Sequence, residues 1–165
     1  MKLPFNFFNN SSDDERIREL QGLSLFKELN GRELRELEDL LHERSYLPEE
    51  VIFDEGDVGL GLFIVVSGRV KVVSSHAGLK QMAPEFGRGE FFGELSLFDE
   101  ERRTARVVAV EPTKTVALFR AEFFSLLERN RSIGAKILYE LSRTICLRSR
   151  RLVMGQASRE AGPIL

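Results

Sequence analysis

The sequence predicts an α+β domain that is mainly β, an antiparallel jelly-roll barrel flanked by N-terminal helices and a long C-terminal helix. Three observations carry that expectation. Apolar residues recur at helical spacing before about residue 44 and again after about residue 121. Between these stretches the chain breaks into short β-branched and aromatic runs. Eight of the thirteen glycines fall between Gly56 and Gly93, where they punctuate those runs as turns would. At 165 residues the chain has the length for one domain with a real core and no need of disulfide or metal support. The expected organisation is a flexible arm over 1–12, a domain over 13–154 and a tail over 155–165. Within the domain the barrel is expected at about 44–119 and the C-terminal helices at about 121–154.

Residues 1–12 show no period. Phe5, Phe7 and Phe8 in this Asn/Ser-rich arm have two expected uses, docking on the domain or on a partner. Ser12 reads as an N-cap, with Glu15 three residues on and an acidic first turn that suits the helix dipole. A second helix is expected from near Asn30, on the helical spacing of Leu34, Leu37, Leu40 and Leu41.

From about Arg44 the period changes. Val51-Ile52-Phe53, Leu62 to Val66, Val70 with Val72-Val73, Val107 to Val110 and Thr115 to Phe119 are runs of strand length. Glu55-Gly56-Asp57 and Ser67-Gly68 supply tight turns between them. Short strands with turns at roughly regular spacing read as an all-β barrel or jelly roll.

Helical character returns at about Ala121, where Phe123, Phe124 and Leu127 are expected on one face of a short helix. A longer helix is expected from about Ser132 to Met154, with Gly155 as its C-cap. Leu138, Leu141, Ile145 and Leu152 fit a heptad seam interrupted at Arg148. Two readings of that seam stay open: it packs on the barrel, or part of it pairs with the same helix of a second subunit.

Composition removes several classes of function. A net charge of −2 argues against wholesale electrostatic capture of nucleic acid, which needs a strongly basic face. The single cysteine, Cys146, excludes an internal disulfide and a thiolate zinc cluster, so a reducing, cytoplasmic compartment is expected. On an amphipathic helix Cys146 is expected as a small core residue. His42, expected on a helix end, and His76, in a turn, lack metal-ligand spacing and are expected at the surface. Neither metal nor cofactor is expected. With no Ser/His/Asp or Cys/His constellation, the chain is not expected to be an enzyme. No apolar run approaches the roughly 20 residues that cross a bilayer, and the N-terminal apolar patch is too short for a signal peptide. No membrane association is expected.

Residues Phe92 to Val107, F-G-E-L-S-L-F-D-E-E-R-R-T-A-R-V, carry the site chemistry. They hold the residue types that a small phosphate diester with a free hydroxyl beside it requires. Gly93 lets backbone come close to a ligand. Glu94 to Phe98 can form one helical turn whose open amides face an anion. Arg103 can grip that anion with two parallel hydrogen bonds, more specifically than a lysine. Glu94 is an acceptor suited to a sugar hydroxyl. A plainer reading pairs Glu94 with Arg103 across a loop, worth about 0–1 kcal/mol if exposed. Asp99, Glu100 and Glu101 are expected to face solvent.

The segment closely resembles the phosphate-binding cassette of the cyclic nucleotide-binding domain family. Upstream, L-S-L-F-K-E-L is similar to that family's entry helix. V-I-F-D-E-G-D followed by L-F-I-V-V-S-G-R-V-K-V is similar to its first barrel strands, and F-G-R-G-E-F-F-G-E-L-S-L to the run into its cassette. The likeness runs from about Leu23 to Leu152. It implies a phosphate-binding role for Arg103 and a ribose 2′-hydroxyl acceptor role for Glu94. Backbone amides around Gly93, Glu94 and Leu95 and near Ala105 would complete the cradle, with Ser96 a further ligand-binding residue. Thr104 would bond the phosphate, and it would reach a guanine amino group if the base is syn; equally, it can stand there as a β-branched residue starting a strand. Arg102 departs from the proline common in eukaryotic members. On a gapless extension, Arg148 and Ser149 fall near the base-contacting hydroxyl residues of the family's bacterial transcription activators. Arg148 either lies over a purine face or belongs to a solvated basic face with Arg143, Arg150 and Arg151.

The resemblance implies a regulatory sensor module that binds a 3′,5′-cyclic mononucleotide, cAMP ahead of cGMP. It would signal through its C-terminal helix to a homodimer or an unidentified protein partner. The alternatives are a ligand-independent dimerisation or interaction module and a truncated sensor domain of a transcription regulator. Thirteen residues follow Leu152, too few for a winged helix-turn-helix, so direct DNA binding is not expected. A jelly-roll metalloenzyme would need clustered histidines, and a cyclic dinucleotide would strain so small a cassette.

Overall fold

A computed structural model describes residues 13–74 and 84–160. The Phe-rich arm with Ser12, His76 with its expected turn, and residues 161–165 of the expected tail lie outside them, as does the side chain of Leu152.

Helix α1 (Asp13–Gln21) is followed by α2 (Gly31–Glu38). Asn30 caps α2 because its short amide reaches back into the first turn. Its Oδ1 accepts the N–H groups of Arg32 and Glu33, each at 3.0 Å, and Glu33 Oε2 accepts the Asn30 N–H at 2.9 Å. The helix ends at Glu38. Leu41 and His42, read from the sequence as helical, instead open strand β1 (Leu41–Tyr46). The apolar period runs past the true end because Leu40 and Leu41 pack on the same core from the turn and the strand.

The remaining strands are β2 (Val51–Phe53), β3 (Gly61–Ser67), β4 (Val70–Val73), β5 (Glu85–Phe86), β6 (Phe91–Phe92), β7 (Arg106–Ala109) and β8 (Thr113–Phe119). They form two antiparallel four-stranded sheets, ordered β1-β8-β3-β6 and β2-β7-β4-β5. The expected jelly-roll barrel is thus seen, among the described residues, as a jelly-roll-like sandwich of two sheets rather than a closed barrel. Among the described residues no strand pairing joins the sheets; apolar side chains between them do that work. On β3, Leu62, Ile64 and Val66 turn toward the helices, whereas Val65, with Phe63 beside it, joins Val70, Phe92 and Val107 in a second apolar cluster. Burial on both faces explains why β3 reads as an unbroken apolar run. The β2–β3 and β3–β4 turns carry Gly56 and Gly68, as their sequences predict.

Helix α3 (Leu95–Phe98) is a single turn between β6 and β7, and α4 (Arg120–Arg129) and α5 (Arg131–Glu160) complete the chain. On α4, Phe123 and Leu126 are buried but Phe124 is exposed, so Phe123 and Phe124 do not share a face. Helix α5 continues through Gly155, which is not its cap. Its buried face is Ile133, Ile137 and Leu141, one turn apart on the domain's main core. Leu138 is exposed, so the expected seam does not lie along one buried stripe, and Cys146 is exposed rather than in the core.

Two ion pairs tie α5 to the N-terminal helical layer. Lys136 Nζ donates to Glu33 at 2.8 Å, and Lys27 Nζ lies 3.2 Å from the buried Glu140, which also accepts from Arg143. Among the described residues, no helix is long and apolar enough to cross a membrane.

Candidate functional site

The site is built where β6 turns into α3. Gly93 has φ 74°, a left-handed conformation that favours glycine, and a Cβ there would sit 2.6 Å from Arg103 Nη1. Leu97 is fully buried and anchors α3, so Glu94, Leu95 and Ser96 are held at the rim of a cavity.

Arg103 enters that cavity from the loop between α3 and β7. Its Nη1 donates to Gly93 O at 2.9 Å and Ser96 Oγ at 3.2 Å, and its Nη2 donates to Gly61 O at 2.8 Å. Phe53 stacks on the guanidinium at 4.1 Å. Burial pulls the Arg103 pKa below its ordinary value, while the charges of Asp57 and Glu94 act the other way. Every hydrogen-bond partner of Arg103 among the described residues is neutral, and its Nε is buried with no partner at all. A nearly buried cation without a contacting carboxylate is electrostatically incomplete, and an anion in the cavity would complete it.

Glu94 does not pair with Arg103. Its Oε1 accepts from Arg148 Nη1 at 2.6 Å, and Arg148 Nη2 donates to Phe91 O at 2.6 Å. The Arg148 guanidinium also lies 4.7 Å from the ring centres of Phe86 and Phe91. Arg148 thus leaves the basic face on which Arg150 and Arg151 stay exposed and Arg143 pairs with Glu140. It turns inward and fastens α5 to the cavity rim.

The cavity has a volume of about 360 Å³, in the range of small-molecule sites. It gathers Gly93, Glu94, Leu95, Ser96, Arg103, Thr104, Ala105, Arg148 and Ser149, the candidate residues of the sequence. Its polar end is formed by α3 and Arg103; Phe53, Val72, Phe86 and Ile145 give it an apolar wall. One end therefore suits an anion and the other a flat, weakly polar ring. Thr104 is exposed at the mouth. Of the three acids after α3, Glu100 faces solvent beside Arg120, whereas Asp99, though exposed, also lines the cavity. Arg102 donates to Gly56 O at 2.8 Å and makes an isolated bridge with Val58, which restrains the tip of the loop.

Sequence reasoning missed Phe53, Phe86 and the Gly59–Gly61 pair. A Cβ on Gly59 would lie 1.9 Å from Ser96 Oγ, so the β2–β3 loop packs directly against α3 only because residue 59 has no side chain. The available signal was two glycines one residue apart ahead of an apolar strand. Among the described residues, no group of three or more His, Cys, Asp or Glu is placed to hold a metal ion. His42, on β1 rather than a helix end, packs against Phe119 with ring centres 4.7 Å apart and the rings tilted by 36°, and lies 3.3 Å from Glu122.

A model of the cyclic nucleotide-binding domain family matches residues 43–130. The chain is 38% identical over 111 residues to the cyclic AMP receptor protein of Thermus thermophilus, covering 67% of this chain and 51% of that protein. It is 34% identical over 101 residues to cGMP-dependent protein kinase 2 of Mus musculus, covering 60% of this chain and 13% of the kinase. A solved cyclic nucleotide-binding domain from Methylobacillus flagellatus has a TM-score of 0.78, at 23% identity, covering 92% of this chain and 88% of that one. At that identity the likeness is one of fold. The chain spans about half the length of the receptor protein and a far smaller share of the kinase.

Proposed function

Because the chain belongs to the cyclic nucleotide-binding domain family, we propose that it is a cytoplasmic sensor module for a 3′,5′-cyclic mononucleotide. The family is one of regulatory binding domains rather than catalytic ones. In this reading cAMP is preferred to cGMP, the relatives including a cyclic AMP receptor protein and cAMP-dependent protein kinase regulatory subunits as well as cGMP-dependent kinases. Two jelly-roll-like sheets present the site, and α5 carries the signal to a second subunit or a protein partner.

The single observation that supports this reading most is the buried Arg103, whose hydrogen-bond partners among the described residues are all neutral, facing a cavity that α5 closes from the other side with Arg148 and Ser149. The cyclic phosphate would take the place of the missing anion at Arg103 and the α3 amides. The ribose hydroxyl would reach Glu94, and the purine would lie along the wall of Phe86, Ile145 and Arg148. Thr104 at the mouth can accept or donate toward either nucleotide. Binding of this kind favours the arrangement in which α5 is held at the rim, so the exposed Leu138, Tyr139 and Leu147 on that helix change their availability to a partner.

A thermal-shift panel tests the assignment. A ligand that binds only the folded chain stabilises it by about 2.7 kcal/mol at a hundredfold excess over its Kd. The melting temperature should rise with cAMP, rise less with cGMP at equal concentration, and stay fixed with 5′-AMP. No shift with any cyclic mononucleotide would instead favour a ligand-independent interaction module, in which the Glu94–Arg148 pair serves only to fasten α5.

A further inference from the structure

We propose that the Phe-rich arm of residues 1–12 docks within its own chain on an apolar patch that lies around α3, the entry to β3 and α4. Leu60, Leu95, Phe98 and Phe124 expose 62, 51, 42 and 41% of their surfaces. They are neighbours. Leu95 and Phe98 are one turn apart on α3. Phe98 and Phe124 both set their rings edge-on to the buried Phe123, at centroid distances of 6.4 and 5.9 Å. Arg120 joins the pieces, with its N–H on Leu60 O at 2.8 Å, its guanidinium on Asp99 O at 2.8 Å and its Cζ 5.7 Å from the Phe124 ring. Single exposed apolar residues need no explanation, but four large ones gathered in one place mark a surface that something covers.

The arm fits that surface in composition, reach and charge. Its twelve residues carry Leu3, Phe5, Phe7 and Phe8 against one charged side chain, Lys2. Aromatic rings spaced by small polar residues match a shallow patch walled by phenylalanine rings. At about 3.3–3.6 Å per extended residue, twelve residues reach up to roughly 40 Å. The path is short by that measure. The arm joins α1 at Asp13, and Asp14 contacts Arg35 of α2. Helix α2 leads into β1, whose Leu41 is paired with Leu118, two residues before Arg120. The exposed acids Asp99, Glu100 and Glu101 border the patch, and Lys2 is their complement. A second copy of the chain would need a larger apolar area than four side chains offer to form a stable dimer here.

The test places benzoylphenylalanine at Phe7 in the full chain. An equal mixture of isotope-labelled and unlabelled protein is irradiated, and the digest is read by mass spectrometry. Crosslinks should join the arm to peptides carrying Leu60, Leu95–Phe98 or Phe124, with both ends bearing the same label. They should be lost in the double variant Phe98→Ser with Phe124→Ser, read alongside a melting transition that shows the variant still folded. Mixed-label crosslinks would assign the patch to a second copy. Crosslinks elsewhere, or none, would leave the arm off the patch. Either result overturns the proposal. None of these readouts depends on nucleotide binding.

Discussion

Arg148 on α5 and Glu94 ahead of α3 are joined by a 2.6 Å hydrogen-bonded ion pair, 54 residues apart in sequence. The same guanidinium holds the carbonyl of Phe91 and lies against the rings of Phe86 and Phe91. One side chain thus fastens the C-terminal helix to the acidic and apolar sides of the cavity at once. A ligand that engages Glu94 must alter what Arg148 does, and a partner that displaces α5 must alter Glu94. This coupling is reciprocal by thermodynamic necessity.

Replacing Arg148 with alanine should weaken cAMP binding by about five- to thirtyfold, corresponding to about 1–2 kcal/mol for a lost guanidinium–ring contact and a released carboxylate. Arg148→Lys should recover only part of this, because an ammonium cannot hold Glu94 and Phe91 O as a planar fork does. Calorimetry on the two variants checks both statements. Unchanged affinity in Arg148→Ala would remove Arg148 from the site.

Gly59→Ala should destabilise the chain by about 1–3 kcal/mol, the usual cost of overpacking. The added methyl would meet Ser96 Oγ at 1.9 Å and Ser96 Cβ at 2.3 Å, so α3 must shift away from Arg103. Adding Ser96→Gly should restore much of the melting temperature, since it removes the side chain that clashes. If the double variant melts no higher than Gly59→Ala alone, the clash is not the cause.

Acid should loosen α5. At Glu33, the Lys136 hydrogen bond is the largest influence and holds the carboxyl below its ordinary value of 4.5 despite opposing burial. At Glu140, burial acts upward and is the largest single influence, but the hydrogen bonds and charges of Arg143 and Lys27 together outweigh it and lower the pKa. Both folded-state values thus lie below the unfolded ones. Their stabilisation is complete above the ordinary value of 4.5 and disappears as pH falls through the depressed values, because the unfolded chain binds protons first. Urea midpoints should therefore fall with pH in that range, and fall less steeply for Glu140→Gln, which should already cost about 1–2 kcal/mol at neutral pH. An equal slope in the variant would contradict this account.

Local chemistry made the cavity's polar end legible in the sequence. Gly93, Glu94, the α3 turn and Arg103 lie within one short segment, and each residue type states its own use. Contacts between distant segments were not legible. Nothing near Gly59 reveals that Ser96 packs against it, and nothing near Arg148 reveals that it would turn inward to Glu94 rather than join the solvated arginines beside it. Periodicity also misled where two elements share one core. Leu41 continues the helical spacing of Leu34 and Leu37 but belongs to a strand. Gly155 looked like a stop signal, yet α5 runs through it, since one glycine costs a long helix only about 1 kcal/mol. Strands β2, β3, β4, β7 and β8 were visible as runs, whereas the start of β1 was read as helix and the two-residue β5 and β6 are too short to form a run. Whether the strands closed into a barrel or stayed as two sheets depended on edge pairings that no run encodes.

The most direct measurement is calorimetric titration of the chain and its Arg103→Ala and Arg103→Lys variants with cAMP. The chain should bind, and Arg103→Ala should lose roughly a hundredfold or more in affinity, the scale expected when one partner of a buried charged contact is removed. Arg103→Lys should retain an intermediate affinity, because it keeps the charge and loses the fork. A folded Arg103→Ala variant that binds cAMP as tightly as the parent chain would contradict the central claim, that the buried Arg103 is completed by the phosphate of a cyclic nucleotide.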